Sequence, residues 1–149
     1  MTDEHAPFSP PDPEDARRRR VHTALFRITE RHAIDEARRR WDERRIPMEP
    51  LDAVRRVADL ASGVAPTAPD EPAVDAEDIT AALTLAPRAR SELDALEAGL
   101  LQMARGRGMT WQEIAFGLGL GTAQAARQRH DRLAGRTART ETTEGTETN

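Results

Sequence analysis

Apolar residues in this chain recur every three or four positions, and proline or glycine marks the places where the recurrence stops. Between Glu14 and Arg45 there is neither glycine nor proline, and Val21, Leu25, Ile28, His32, Ala37 and Trp41 fall near the helical period. That spacing predicts one long amphipathic helix, with Glu14 and Asp15 well placed against the positive end of its dipole. Pro47 and Pro50 interrupt the pattern. Leu51, Val54, Val57, Ala58 and Ala61 then define a shorter helix that Gly63 closes. Together these make a helical hairpin over 14–63.

Residues 64–77 hold Pro66, Pro69 and Pro72 among Ala, Asp, Glu and Thr, the composition of a linker. Asp78, Ile79, Ala82, Leu83 and Leu85 predict a short helix halted at Ala86, because Pro87 disfavours helical geometry in the residue before it. Pro87 suits the first turn of a following helix carrying Leu93, Leu96, Leu100, Leu101 and Ala104, which Gly106 and Gly108 end. No strand-like alternation of useful length occurs. The fold class expected is all-α: an N-terminal helical hairpin, a linker, and a C-terminal helical domain over 78–134. Residues 1–13, rich in proline, and the Thr- and Glu-rich tail 135–149 lack the apolar residues to pack, so both ends are expected to be disordered.

The segment from Met109 to Leu133 carries the most chemistry. Thr110 before Trp111-Gln112-Glu113 is a capping box, in which the threonine oxygen accepts a free helix N–H and the glutamate reaches back to the cap. The helix that follows buries Trp111, Ile114, Ala115 and Leu118, with the small Ala115 allowing a second helix to cross closely. Gly119 supplies a positive φ for the turn, Leu120 fills the space between helices, and Gly121 or Thr122 starts the next helix. Stepping about 100° per residue from Ala126 puts His130 and Leu133 on the inward face and Gln124 and Gln128 on the outward one. Arg127 and Arg132 flank that outward face, and Arg129 lies at its inner rim. This is a helix-turn-helix signature, the motif that lays a recognition helix in the DNA major groove. Glutamine pairs with adenine through N6 and N7, and arginine with guanine or phosphate. The expected double-stranded DNA contacts are therefore Thr122, Gln124, Arg127, Gln128, Arg129 and Arg132, with Gln124 the first choice for base readout. Asp131, on the same side, is expected to pair with Arg127 or Arg132 or to lie beyond the groove.

Residues 76–133 resemble the C-terminal half of small actinobacterial helix-turn-helix proteins, some labelled as transcriptional regulators of a small heat-shock gene. The resemblance lies in Ile79 to Leu85, in the run from Arg90 to Leu101, in Gly108 to Ala115, and in Gln124-Ala125-Ala126 with Arg129, Arg132 and Leu133. Those proteins usually carry arginine where Ala123 stands and an aromatic residue at His130. The motif is also similar, generically, to sigma-factor region 4. The resemblance implies DNA binding and transcriptional regulation.

Charge agrees only once it is resolved along the chain. The net charge of -4 conceals two basic blocks, residues 17–56 and 105–139, set between three acidic ones. Phosphate attraction is governed by local charge within a Debye length of roughly 10 Å, so net acidity does not exclude nucleic acid. All 22 basic residues are arginine, a usage that suggests a GC-rich genome. The run Arg17 to Arg20 reads as a phosphate clamp or, more simply, a solvated helix start. The sequence holds no cysteine, and its four histidines lack metal-ligand spacing, so no metal site and no cofactor is expected. It has no phosphate loop, nucleophile elbow or HExxH motif, so no catalytic residue is assigned and no enzyme is expected. No apolar run reaches membrane-spanning length, and the expected location is cytoplasmic, at the nucleoid. The helix from Glu14 is amphipathic enough either to pair with a second copy or to pack on its own hairpin. Two alternatives to a regulator stay open: an adaptor binding a sigma factor, polymerase or other regulator, and a sequence-indifferent nucleoid protein.

Overall fold

The structure is a computed structural model that describes residue 10 and residues 12–145, with side chains described to residue 139. The described residues form six α-helices and no strand: α1 Pro13–His32, α2 Asp35–Arg44, α3 Pro50–Ser62, α4 Ala76–Gly106, α5 Trp111–Gly117 and α6 Ala123–Gly145. The chain divides into two compact units, Met1–Ala89 and Arg90–Asn149, and the division falls inside α4 rather than in the proline-rich segment 64–77. No described helix is long and apolar enough to cross a membrane.

In the first unit α1 starts with Pro13 in its first turn, and the Asp12 carboxylate accepts from the Glu14 N–H at 2.9 Å. The apolar face of α1 is used within its own unit, where Ala24 and Ile28 join Ala53 and Val57 of α3 and Ala81 and Leu85 of α4 in one core.

The single helix expected over 14–45 is two helices. Ala33 and Ile34 are extended, and Asp35 takes a φ of 49°. Neither glycine nor proline causes the break; tertiary bonds do. His32 is fully buried, with Nε2 2.8 Å from Asp78 Oδ2 and Nδ1 3.2 Å from Glu71 Oε1. Arg38, reaching back from α2, donates to the carbonyls of Glu30 at 2.7 Å and Ala33 at 3.1 Å at the end of α1, and to that of Thr29 at 3.4 Å, which also accepts the Ala33 N–H. Trp41 is buried beside Phe26, donates through its indole N–H to Glu30, and carries Arg45 on its ring.

The segment 64–77 is more than a spacer. Val74 packs on the core, and Glu71, almost wholly buried, accepts from Arg56 and the Ala68 N–H. Its last residues begin α4 with reciprocal bonds, the Asp78 N–H to Asp75 Oδ1 at 2.8 Å and the Asp75 N–H to Asp78 Oδ2 at 3.1 Å. That is a capping box built from two aspartates.

The halt expected at Ala86 does not occur, because α4 continues through Pro87. Proline removes one helical hydrogen bond and strains the turn before it. Leu85 and Ala89, buried on either side of Pro87, offset that loss by holding both turns in place.

Candidate functional site

The second unit builds its core from Leu101 of α4, Ile114 and Ala115 of α5, and Ala126 and Leu133 of α6. Local chemistry sets the entry and exit of α5. The Glu113 N–H donates to Thr110 Oγ1 at 3.2 Å while the Thr110 N–H donates to Glu113 Oε2 at 2.7 Å, the capping box read from the sequence. That backbone bond, with a second from the Thr110 hydroxyl, holds the Glu113 carboxyl below its usual range. Removing the hydroxyl in Thr110→Ala is expected to cost about 1 kcal/mol, read as a lower urea midpoint with an unchanged slope.

At its other end α5 stops in a paired-carbonyl cap. The Leu120 N–H bonds Ala115 O at 2.8 Å, and the Gly119 N–H bonds Phe116 O at 3.1 Å, with Gly119 at a φ of 68°. Only glycine takes that conformation without strain. The chain then turns into α6, where the Ala125 N–H donates to Thr122 Oγ1 at 3.1 Å. Ala115 and Ala126 have no exposed surface, so α5 and α6 meet through their smallest side chains.

The six residues expected to touch DNA fall into three groups. Gln124, Arg127, Gln128 and Arg132 are exposed on α6, away from Ala126 and Leu133. Thr122, also exposed, uses an oxygen lone pair to cap α6, which leaves its hydroxyl hydrogen to donate elsewhere. Arg129 also makes a tie within the unit. Its guanidinium is taken up by Glu97 on α4, with Nε to Oε1 at 2.5 Å and Nη2 to Oε2 at 3.0 Å, a bidentate pair that raises its pKa. That pair ties α6 to α4 while 41% of the Arg129 side chain stays exposed. Arg136 makes a second tie, its Nε 3.4 Å from Asp94. Asp131 pairs with His130, Nδ1 to Oδ1 at 3.4 Å, rather than with either expected arginine.

Comparison with family models, with curated proteins and with solved structures finds no match. The site therefore has to be read from its own geometry.

Trp111 is its pivot. Arg105 lies over the indole at 5.0 Å, Arg127 at 5.8 Å, and the His130 ring meets it edge-on at 5.4 Å. The ring attracts both guanidinium groups through its negative face and limits where they can swing. Arg105 is thus a cation of the site that the sequence reading missed, since it sits at the end of α4, outside the motif. Phe116 was missed too. It is 87% exposed, though α5 had already filled its inward face with Ile114 and Ala115. The sequence did carry a signal: an apolar residue directly after two inward ones has no place left on the buried stripe.

The tail expected to be disordered from residue 135 is helical as far as Gly145, and residues 146–149 lie outside the described residues, as do 1–9 and 11 of the N-terminal end. The sequence there contains no proline, and Thr137 Oγ1 bonds back to Leu133 O at 2.9 Å. With the Arg136 tie to Asp94, the helix has a reason to continue one turn beyond the core.

A concave surface elsewhere is a cleft of about 480 Å³ beside the break between α1 and α2. Its charged walls are occupied with one another: Glu71 with Arg56 and His32, Arg31 with Asp78, and Arg38 with three carbonyls. Groups so engaged hold the fold. No group of three His, Cys, Asp or Glu arranged to hold a metal occurs among the described residues.

Proposed function

We propose that this chain is a DNA-binding transcriptional regulator whose α5, turn and α6 form a helix-turn-helix, with α6 as the recognition helix. The observation that carries the reading is the division of α6 into an inward seam of Ala126 and Leu133 and an outward set of Gln124, Arg127, Gln128 and Arg132. An outward Gln-and-Arg face combines base readout with phosphate attraction on one rigid element. The short turn through Gly119 and the close meeting of Ala115 with Ala126 suit the tight crossing such a motif needs. In this reading Gln124 and Gln128 contact bases, Arg127 and Arg132 contact the backbone, and Thr122 donates to a phosphate at the start of the helix.

The test is selection of bound fragments from GC-rich genomic DNA, run at low and near-physiological salt. A regulator retains a few fragments at the higher salt, whereas a sequence-indifferent nucleoid protein loses all of them together. Gln124→Ala is expected to relax the recovered sequence at one position and to weaken binding by about 1–3 kcal/mol. Arg127→Ala is expected to weaken binding to every fragment and to flatten the salt dependence by about one phosphate. Recovery of the same fragments at unchanged affinity by both variants would overturn the assignment.

Phe116 favours a second reading, that of an adaptor. A phenylalanine 87% exposed beside the turn is the kind of aromatic anchor that protein interfaces use. On that reading the chain retains no DNA at either salt, and Phe116→Ala abolishes capture of a transcription-machinery partner.

A further inference from the structure

Some cations of the second unit are already matched by carboxylates, Arg129 by Glu97 and Arg136 by Asp94. Arg105 and Arg127 are not. Both are exposed, and among the described residues neither forms an ion pair with a carboxylate. Their guanidinium groups rest instead on the half-buried indole of Trp111, 5.0 and 5.8 Å from the centre of the ring. The ring attracts each of them, but two like charges held on one platform repel each other. An anion bound beside both would relieve that repulsion.

We propose that Arg105 and Arg127, seated on Trp111, form a pair that binds the phosphodiester backbone of duplex DNA and so extends the contact from α6 back to the end of α4. The inference rests on the DNA-binding reading, which by itself gives Arg105 no task. Arg105 comes from the last turn of α4, Trp111 opens α5 and Arg127 lies in α6, so three helices of one unit converge on the pair.

The local bonding suits such a ligand. Arg105 donates from Nη1 to Met109 O at 2.8 Å, a bond that steadies the fork and leaves its other N–H groups for an acceptor. The His130 ring, edge-on to the indole, braces the platform. Cations restrained before binding bring a smaller ordering cost to the interface than arginines that swing in solvent. A planar guanidinium also matches phosphate, which it can meet with two parallel donors. Arg105 has a simpler possible task, because a cation in the last turn of a helix complements the dipole there. The response to salt tells the two apart.

The test is the affinity of the full chain for one duplex fragment that the wild type retains, measured from about 50 to about 200 mM salt. Arg105→Ala is expected to weaken binding about tenfold and to flatten the logarithmic salt slope by about one, the mark of one lost phosphate contact. Arg105→Lys keeps the charge and should recover the slope. Arg90→Ala, on α4 about 22 Å before Arg105, is expected to leave the slope as it was. In a Trp111→Leu background the effect of Arg105→Ala should shrink to about threefold, whereas Trp111→Phe, which keeps a ring face, should preserve it. An unchanged slope in Arg105→Ala would overturn the proposal, even with a lowered urea midpoint, and so would an equal flattening in Arg90→Ala. If Gln124→Ala and Arg127→Ala still weaken binding in that case, the recognition helix stands without the pair. An undiminished effect of Arg105→Ala in Trp111→Leu would overturn the role of the ring. A wild-type chain that retains no duplex at any salt would overturn the pair and the DNA-binding reading together.

Discussion

Asp78→Ala is expected to destabilise the protein by about 3–5 kcal/mol, because it removes the carboxylate around which Arg27, Arg31 and His32 are arranged. Asp78 is fully buried, and its two oxygens accept from Arg27 Nε at 3.0 Å, Arg31 Nε at 2.9 Å and His32 Nε2 at 2.8 Å. It also accepts the Asp75 N–H and so closes the start of α4. Without it His32 would sit fully buried with one ring nitrogen unmet, and α4 would lose half of its cap. Asp78→Asn should retain part of the stability, since an amide oxygen still accepts while the charge is gone. Chemical denaturation of both variants checks the size and the order of the losses.

The same carboxylate makes a prediction for pH. Burial pushes the Asp78 carboxyl up, but hydrogen bonds from His32 and Arg31, the Asp75 backbone N–H and the His32 charge together outweigh it and hold the pKa down at about 2, from 3.8. A carboxyl held below its unfolded value binds fewer protons in the folded state. Its contribution is therefore fully present above pH 3.8 and is lost as pH falls toward 2. Asp75 and Glu71 are lowered as well: Asp75 chiefly by the Asp78 N–H, and Glu71 by the Ala68 N–H with Arg56 and His32, against its own burial. Both therefore also bind fewer protons in the folded state and add to the loss of stability as pH falls. Wild-type stability should fall steeply with it, and Asp78→Ala should show a shallower fall from a lower plateau.

The second large effect is expected at Leu133, which is 1% exposed between α4, α5 and α6. Leu133→Ala should cost about 2–5 kcal/mol, the lost burial plus the cavity left behind. Arg132→Ala, its exposed neighbour, should stay within about 0.5 kcal/mol of wild type. If the two variants unfold at the same denaturant concentration, the inward face of α6 has been misassigned.

The parts of this fold that were legible in the sequence are those written in short-range chemistry. Thr110 and Glu113 stand three residues apart, Gly119 is the residue its turn needs, and the inward set of Ala126 and Leu133 follows from helical spacing alone. The break after His32 depends on Glu71 and Asp78, 39 and 46 residues away, and no local pattern announces partners at that distance. It did leave a trace. The apolar spacing slips to five residues between His32 and Ala37, a step that no single helix face accommodates. Pro87 misled in the other direction, since proline's local penalty was outweighed by the burial of Leu85 and Ala89. Within the candidate site, Arg127 and Gln124 were accessible to a helical wheel. The capture of Arg129 by Glu97, 32 residues earlier, was not.

The split between the two faces of α6 bears on how such a protein changes over generations. Ala126 and Leu133 are frozen by the space they fill, while Gln124, Gln128 and Arg132 touch solvent. Substitutions at the outer positions carry almost no folding penalty. Lineages can therefore drift through many combinations there, each still folded; under the proposed DNA-binding role, selection on target preference would meet little resistance from selection on stability. A combinatorial library confined to those three codons should yield mostly folded members.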